Sequence, residues 1–139
     1  AYYGDEKNRI YAVTDQISLT QEDIREVQMA KGAIAAGIEL MMEELEITYE
    51  QVDRVILCGA FGTYMNAKSA ARIGLIPEPL LSKVIAGGNA AGMGCRQITM
   101  DQKLFALTGE LVQKIEPLDL ASLPQFQRTF AKHMAFSEV

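Results

Sequence analysis

The 139 residues predict a single α/β domain, built on a mixed sheet whose central strands run parallel and carry helices on both faces. Three observations predict it. Strand-like and helix-like segments alternate along the chain. Two strand–glycine–helix units, "VILCGAFG" and "KVIAGGNAAG", follow one another. The composition, 49% hydrophobic and 22% charged with no low-complexity run, is that of an ordinary globular domain. A chain of this length buries about two-thirds of its unfolded surface, enough for one core.

In order, "RIYAV" at 9–13 reads as a strand after the turn-like "GDEKN". "ISLTQEDIREVQ" then starts a helix, with Thr20 as N-cap and Asp23 at the third helical position, an arrangement like a capping box. The helix that follows is long. Ile24, Val27, Ile34, Ile38, Met41 and Leu45 recur at three- and four-residue spacings, with Lys31 at the missing step. Lys31 on that face either snorkels at the edge of an interface or reaches a buried anion. Glu43 and Glu44 in "MMEEL" read as a solvated run.

"VILC", short and without polar alternation, predicts a central parallel strand covered on both faces. After it, "NAKSAARIGLIP" predicts a short helix capped by Asn66 and stopped by Gly74, with Pro77 beyond. The second unit gives a strand near 84–86, a turn at Gly87 and Gly88, Asn89 as cap, and a helix running to about Leu107. A strand at 112–118 and a helix at 123–134 complete the expectation. Because parallel crossovers share one hand, the two glycine turns should lie side by side at the carboxyl ends of their strands, where open α/β sheets bind ligands.

Composition removes several function classes. Acidic residues outnumber basic ones 18 to 13, a net charge of −5, which argues against nucleic acid and leaves only a local basic site possible. Cys58 and Cys95 lie far apart with no CxxC partner, so they form neither a zinc site nor an iron–sulfur site, and both are expected as reduced, small core residues. No apolar run approaches the roughly 20 residues of a membrane span, and "AYYGDEKNRI" lacks signal-peptide character, so a cytoplasmic protein is expected. No nucleophile–histidine pair, carboxylate pair or metal set is recognisable. The lone His133 fits a helix-dipole partner better than a catalyst.

The glycine turns allow two readings. Glycines past a strand let backbone amides approach a ligand with no Cβ in the way. They equally serve close helix–strand packing, the reading that fits Gly92 and Gly94. "GAFG" is neither a dinucleotide fingerprint nor a P-loop.

The succession "LTQEDIREVQMAKGAIAAGIELMMEEL", "VDRVILCGAFGTYMN", "SAARIGLIP", "KVIAGGNAAGMGCR" and "PQFQRTFAKHMAF" resembles the C-terminal part of the ATP-dependent reductive activators of corrinoid proteins. Their large C-terminal domain belongs to the actin, sugar-kinase and heat-shock-chaperone superfamily, with a ribonuclease H-like core. The resemblance covers nearly the whole chain after about Arg9. It implies the adenosine-side half of a nucleotide cleft that binds ATP or ADP with Mg, in a protein that drives cobalt(II) to cobalt(I) in a corrinoid partner of a methyltransferase system. It assigns Gly59, Ala60, Phe61 and Gly62 to the adenosine, Lys31 and Gln28 to the ribose and base, and Gly87, Gly88 and Asn89 to the same cleft. Gly62→Val is then expected to place a branched side chain in that cleft.

Such activators also carry iron–sulfur clusters and a first subdomain with phosphate loops, and neither has a counterpart in these 139 residues. The expectation is therefore a fragment without ATPase activity of its own. The alternative reading is a docking or homodimerisation module that engages the corrinoid protein through apolar residues near Phe126, Phe130 and Phe136.

Overall fold

The computed structural model describes residues 2–3 and 9–136, and in it the strands divide between two small sheets. β1 (Tyr2–Tyr3), β2 (Ile10–Ala12) and β3 (Ser18–Thr20) form an antiparallel ladder in that order. β4 (Val55–Cys58) and β5 (Val84–Gly88) form a parallel pair. The α/β class and the parallel strands are as predicted, while the antiparallel strands keep to a sheet of their own.

β3 runs directly into α1 (Gln21–Glu44) through Thr20, whose Oγ1 accepts from the Asp23 amide at 3.1 Å while Asp23 Oδ2 accepts from the Thr20 amide at 2.8 Å. This reciprocal cap, worth about 1 kcal/mol, sets where the helix begins. The buried face differs from the predicted stripe. Lys31, Gly32, Ala35, Ala36, Gly37 and Leu40 are buried, whereas Val27, Met41 and Leu45 are exposed. The reason is α6 (Phe126–Met134), which lies along the small residues: a Cβ on Gly32 would stand 3.1 Å from Met134 Cγ and 3.4 Å from Phe130 Cε2. Short side chains let the two helices close, which a row of isoleucines and leucines would prevent.

The flanking Ile34 and Ile38 of α1 pack on the main core. That core gathers Ala70, Leu75, Ile76 and Leu80 with Val55, Leu57 and Val84 of the parallel pair. β4 alternates rather than being buried throughout, since Val55 and Leu57 face the core while Ile56 is 57% exposed. Ala70 comes from α3 (Ala67–Arg72), capped by Asn66 Oδ1 on the Ser69 amide at 3.0 Å and ended near Gly74 at φ +77°.

Past β5 the single predicted helix is two, α4 (Ala90–Met100) and α5 (Gln102–Val112). Asp101 between them is extended at φ −136° and ψ 111°, and its Oδ1 accepts from the Lys103 amide at 2.8 Å. The acid that ends one helix therefore caps the next. No strand forms at 112–118 among the described residues; α5 occupies its start, and Pro117, which has no amide to donate, lies in irregular chain. α6 begins at Phe126, three residues later than expected, after a 3-10 turn at Leu120–Ser122. Cys58 and Cys95 are both exposed, which overturns their reading as core residues. No helix among the described residues is long and apolar enough to cross a membrane.

Candidate functional site: two glycine turns at one sheet end

The parallel ladder pairs Cys58 with Gly88 after an irregularity at Leu57 and Cys58, so the two strands end together, as the sequence predicts. Neither connection is a loose turn: Gly87 and Gly88, expected as a turn, are the last two residues of β5, with Asn89 capping α4 directly after them. α2 (Gly59–Tyr64) starts at the first residue past β4.

The glycines divide into two kinds. Gly62 and Gly87 are packing positions: a Cβ on Gly62 would lie 2.0 Å from the Leu57 carbonyl oxygen and 3.1 Å from the Gly88 nitrogen, and one on Gly87 would lie 2.7 Å from Cys58 Sγ. Gly59 at φ +69° and Gly88 at φ +57° are conformational positions, and a Cβ on either would meet nothing within 4 Å. A left-handed backbone with open space beside it is a cradle that a ligand can approach closely. Ala60 is exposed and the Phe61 ring is 50% exposed beside it. Asn89 Oδ1 accepts from the Gly92 amide at 2.9 Å, capping α4 at the same sheet end.

Two expectations change here. Gly62 faces strand backbone rather than open space, so a valine there would break the α2–β4 packing first. Gly94, expected in close packing, has open space around it, while Gly92 does sit tightly, against the Asn89 side chain.

Lys31 belongs to another interface. It is 2% exposed, and its Nζ donates to the carbonyls of His133 and of Ala135, the latter at 2.8 Å, while standing 5.3 Å from the centre of the Phe136 ring. It therefore neither snorkels nor meets an anion. It satisfies the carbonyl end of α6, where the helix dipole favours a cation. Burial pushes its ammonium pKa down. Gln28, one turn earlier on α1, is half-buried.

Sequence reasoning missed the partner of His133. Its Nε2 lies 2.6 Å from Glu39 Oε2, and Lys132 Nζ lies 2.8 Å from Glu39 Oε1. Burial pushes the Glu39 carboxyl up, but the hydrogen bonds and positive charges of Lys132 and His133 together hold it below the usual carboxylate range. A glutamate 94 positions away leaves no local signal; its place between Ile38 and Leu40 on a buried helix is the nearest hint.

The open backbone at Gly59 and Gly88 fits a nucleotide sugar or base. An iron–sulfur cluster is not fitted: among the described residues no three His, Cys, Asp or Glu side chains gather to hold a metal ion.

A parallel pair whose strands each run through glycine straight into a helix start, beside a long helix, is the arrangement of an ASKHA domain of the actin-like class. The chain belongs to the family described as the C-terminal domain of RACo, the ASKHA domain, which it matches over residues 4–139. It is 30% identical over 122 residues to the corrinoid activation enzyme RamQ of Eubacterium limosum, covering 88% of this chain and 21% of that protein. It is 29% identical over 99 residues to the [Co(II) methylated amine-specific corrinoid protein] reductase of Methanosarcina barkeri, covering 71% and 18%. A solved reductive activator for corrinoid, iron–sulfur protein superposes with a TM-score of 0.86 at 29% identity, over 97% of this chain and 23% of that one. The chain thus spans about a fifth of the length of these relatives.

Proposed function

We propose that this chain is the adenosine-side half of the nucleotide cleft of an ATP-dependent activator that drives cobalt(II) to cobalt(I) in a corrinoid methyl-transfer protein. The observation that carries the reading is the pair of left-handed glycines, Gly59 and Gly88, at adjoining strand ends with open space where their Cβ atoms would be. Backbone at Gly59, Ala60, Gly88 and Asn89 borders the adenosine, Phe61 offers an apolar ring face to the base, and Gly62 and Gly87 hold the two turns at their spacing. Gln28 is the contact from α1, while Lys31 keeps α6 in place. Relatives whose names carry corrinoid activation or corrinoid-protein reduction support the corrinoid partner.

Half a cleft binds weakly. If a whole site reaches about micromolar affinity, roughly −8 kcal/mol, half the contacts leave about −4 kcal/mol and a millimolar constant. The test is an amide NMR titration with ADP and Mg²⁺ to several millimolar. Saturable shifts at Gly59–Gly62 and Gly87–Asn89, lost in Phe61→Ala, are expected; shifts that survive Phe61→Ala unchanged, or none at all, refute the assignment. No ATP turnover is expected from the chain alone.

The competing docking reading loses two of its three aromatic residues: Phe126 and Phe130 are half-buried and stack on each other at 5.9 Å, whereas Phe136, over Lys31, stays exposed.

A further inference from the structure

A concavity of about 530 Å³ lies between α3, the 3-10 turn Glu78–Lys83 and the end of α6. Its floor is apolar, formed by Ala35, Ile76 and Leu81. Its rim carries two cations, Lys68 and Arg72, four residues apart on α3, and His133, whose Nε2 is bound to Glu39, lines it from α6. No carboxylate among the described residues pairs with Lys68 or Arg72. One acid, Glu78, and the half-buried Tyr49 share the lining.

In a chain of net charge −5, two exposed cations four residues apart on α3 thus border one concavity, and neither is ion-paired to the acid that shares its lining. A further cation stands behind the wall, since a Cβ on Gly74 would meet Lys31 Nζ at 3.5 Å. An oxyanion in the cleft would neutralise Lys68 and accept bidentate donation from Arg72, while an apolar body covered the floor.

We propose that the cleft binds a small organic oxyanion, a carboxylate or phosphate monoester on an apolar body. The site is separate from the glycine turns and stands or falls independently of nucleotide binding there.

Benzoate and phenyl phosphate are the probes, with benzyl alcohol as the uncharged control, in amide NMR titrations to about 10 mM, a range that captures millimolar constants. Saturable shifts at Lys68, Ala71, Arg72, Gly74 and His133 with one or both anions are expected. They should weaken at least tenfold in Lys68→Ala/Arg72→Ala, whose exposed side chains leave the unfolding midpoint unchanged. Any of four results overturns the proposal: no saturable shift, equal shifts with benzyl alcohol, undiminished binding by the double variant, or shifts confined to Gly59–Gly62 and Gly88.

Discussion

Gly62 lies so close to Leu57 that a Cβ on the glycine would stand 2.0 Å from the leucine carbonyl oxygen. The first helix of the glycine unit thus rests on the backbone of the strand that precedes it. Gly62→Ala is expected to cost about 3 kcal/mol or more, because the clashing atom is backbone and cannot rotate away. Denaturant unfolding checks this. Gly94→Ala, in an open helical position, should instead stabilise by about 0.5–1 kcal/mol. If both changes behave alike, the packing role of Gly62 is wrong.

Lys31→Met keeps most of the apolar stem and removes the donors to His133 and Ala135. A loss of about 1.5–3 kcal/mol is expected, the range for charged hydrogen bonds. Hydrogen exchange should localise the loss to Phe126–Met134, the helix whose end is freed. Uniform acceleration across the chain would contradict a local anchoring role.

Glu39 makes folding stability depend on pH. Its folded pKa lies below its unfolded one, so its contribution is present above the unfolded value, about 4.3, and disappears as pH falls through the folded value. Partial exposure keeps the contribution small, under about 1 kcal/mol. Comparing wild type with Glu39→Gln between pH 3 and pH 7 should show the two curves converging at the acid end. Parallel curves would exclude Glu39 as the source.

Large apolar side chains differ sharply in what they hold. Leu40, fully buried, should lose about 2–5 kcal/mol on conversion to Ala. Phe105, 63% exposed on α5, should tolerate Glu within about 0.5 kcal/mol in this chain. A large loss from Phe105→Glu would place that ring in a contact the fold does not contain.

The sequence by itself determined the elements whose signals are local. The reciprocal Thr20–Asp23 cap, the Asn66 and Asn89 caps and the two β-branched strands each sit within a few residues of what they control and stand where the sequence predicts, except that Gly87 and Gly88 extend β5 instead of turning away from it. The family resemblance was legible for the same reason, since it rests on contiguous stretches of the chain, the two strand–glycine units among them. The split at Asp101 and the missing strand at 112–118 went unread because an acid that both ends and starts a helix does not interrupt the hydrophobic pattern.

Only the tertiary structure decided which face of α1 is buried, what Lys31 and Glu39 hold, and which glycines are packed or open. The first two depend on what arrives from far along the chain, and the third on how each strand meets the helix that follows it. Periodicity favoured the large side chains of α1, but α6 needs a close approach and so buries the small ones. A lysine on a buried face can be satisfied by any acceptor, and here the acceptors are carbonyls more than a hundred residues away, brought within reach only when α6 packs against α1.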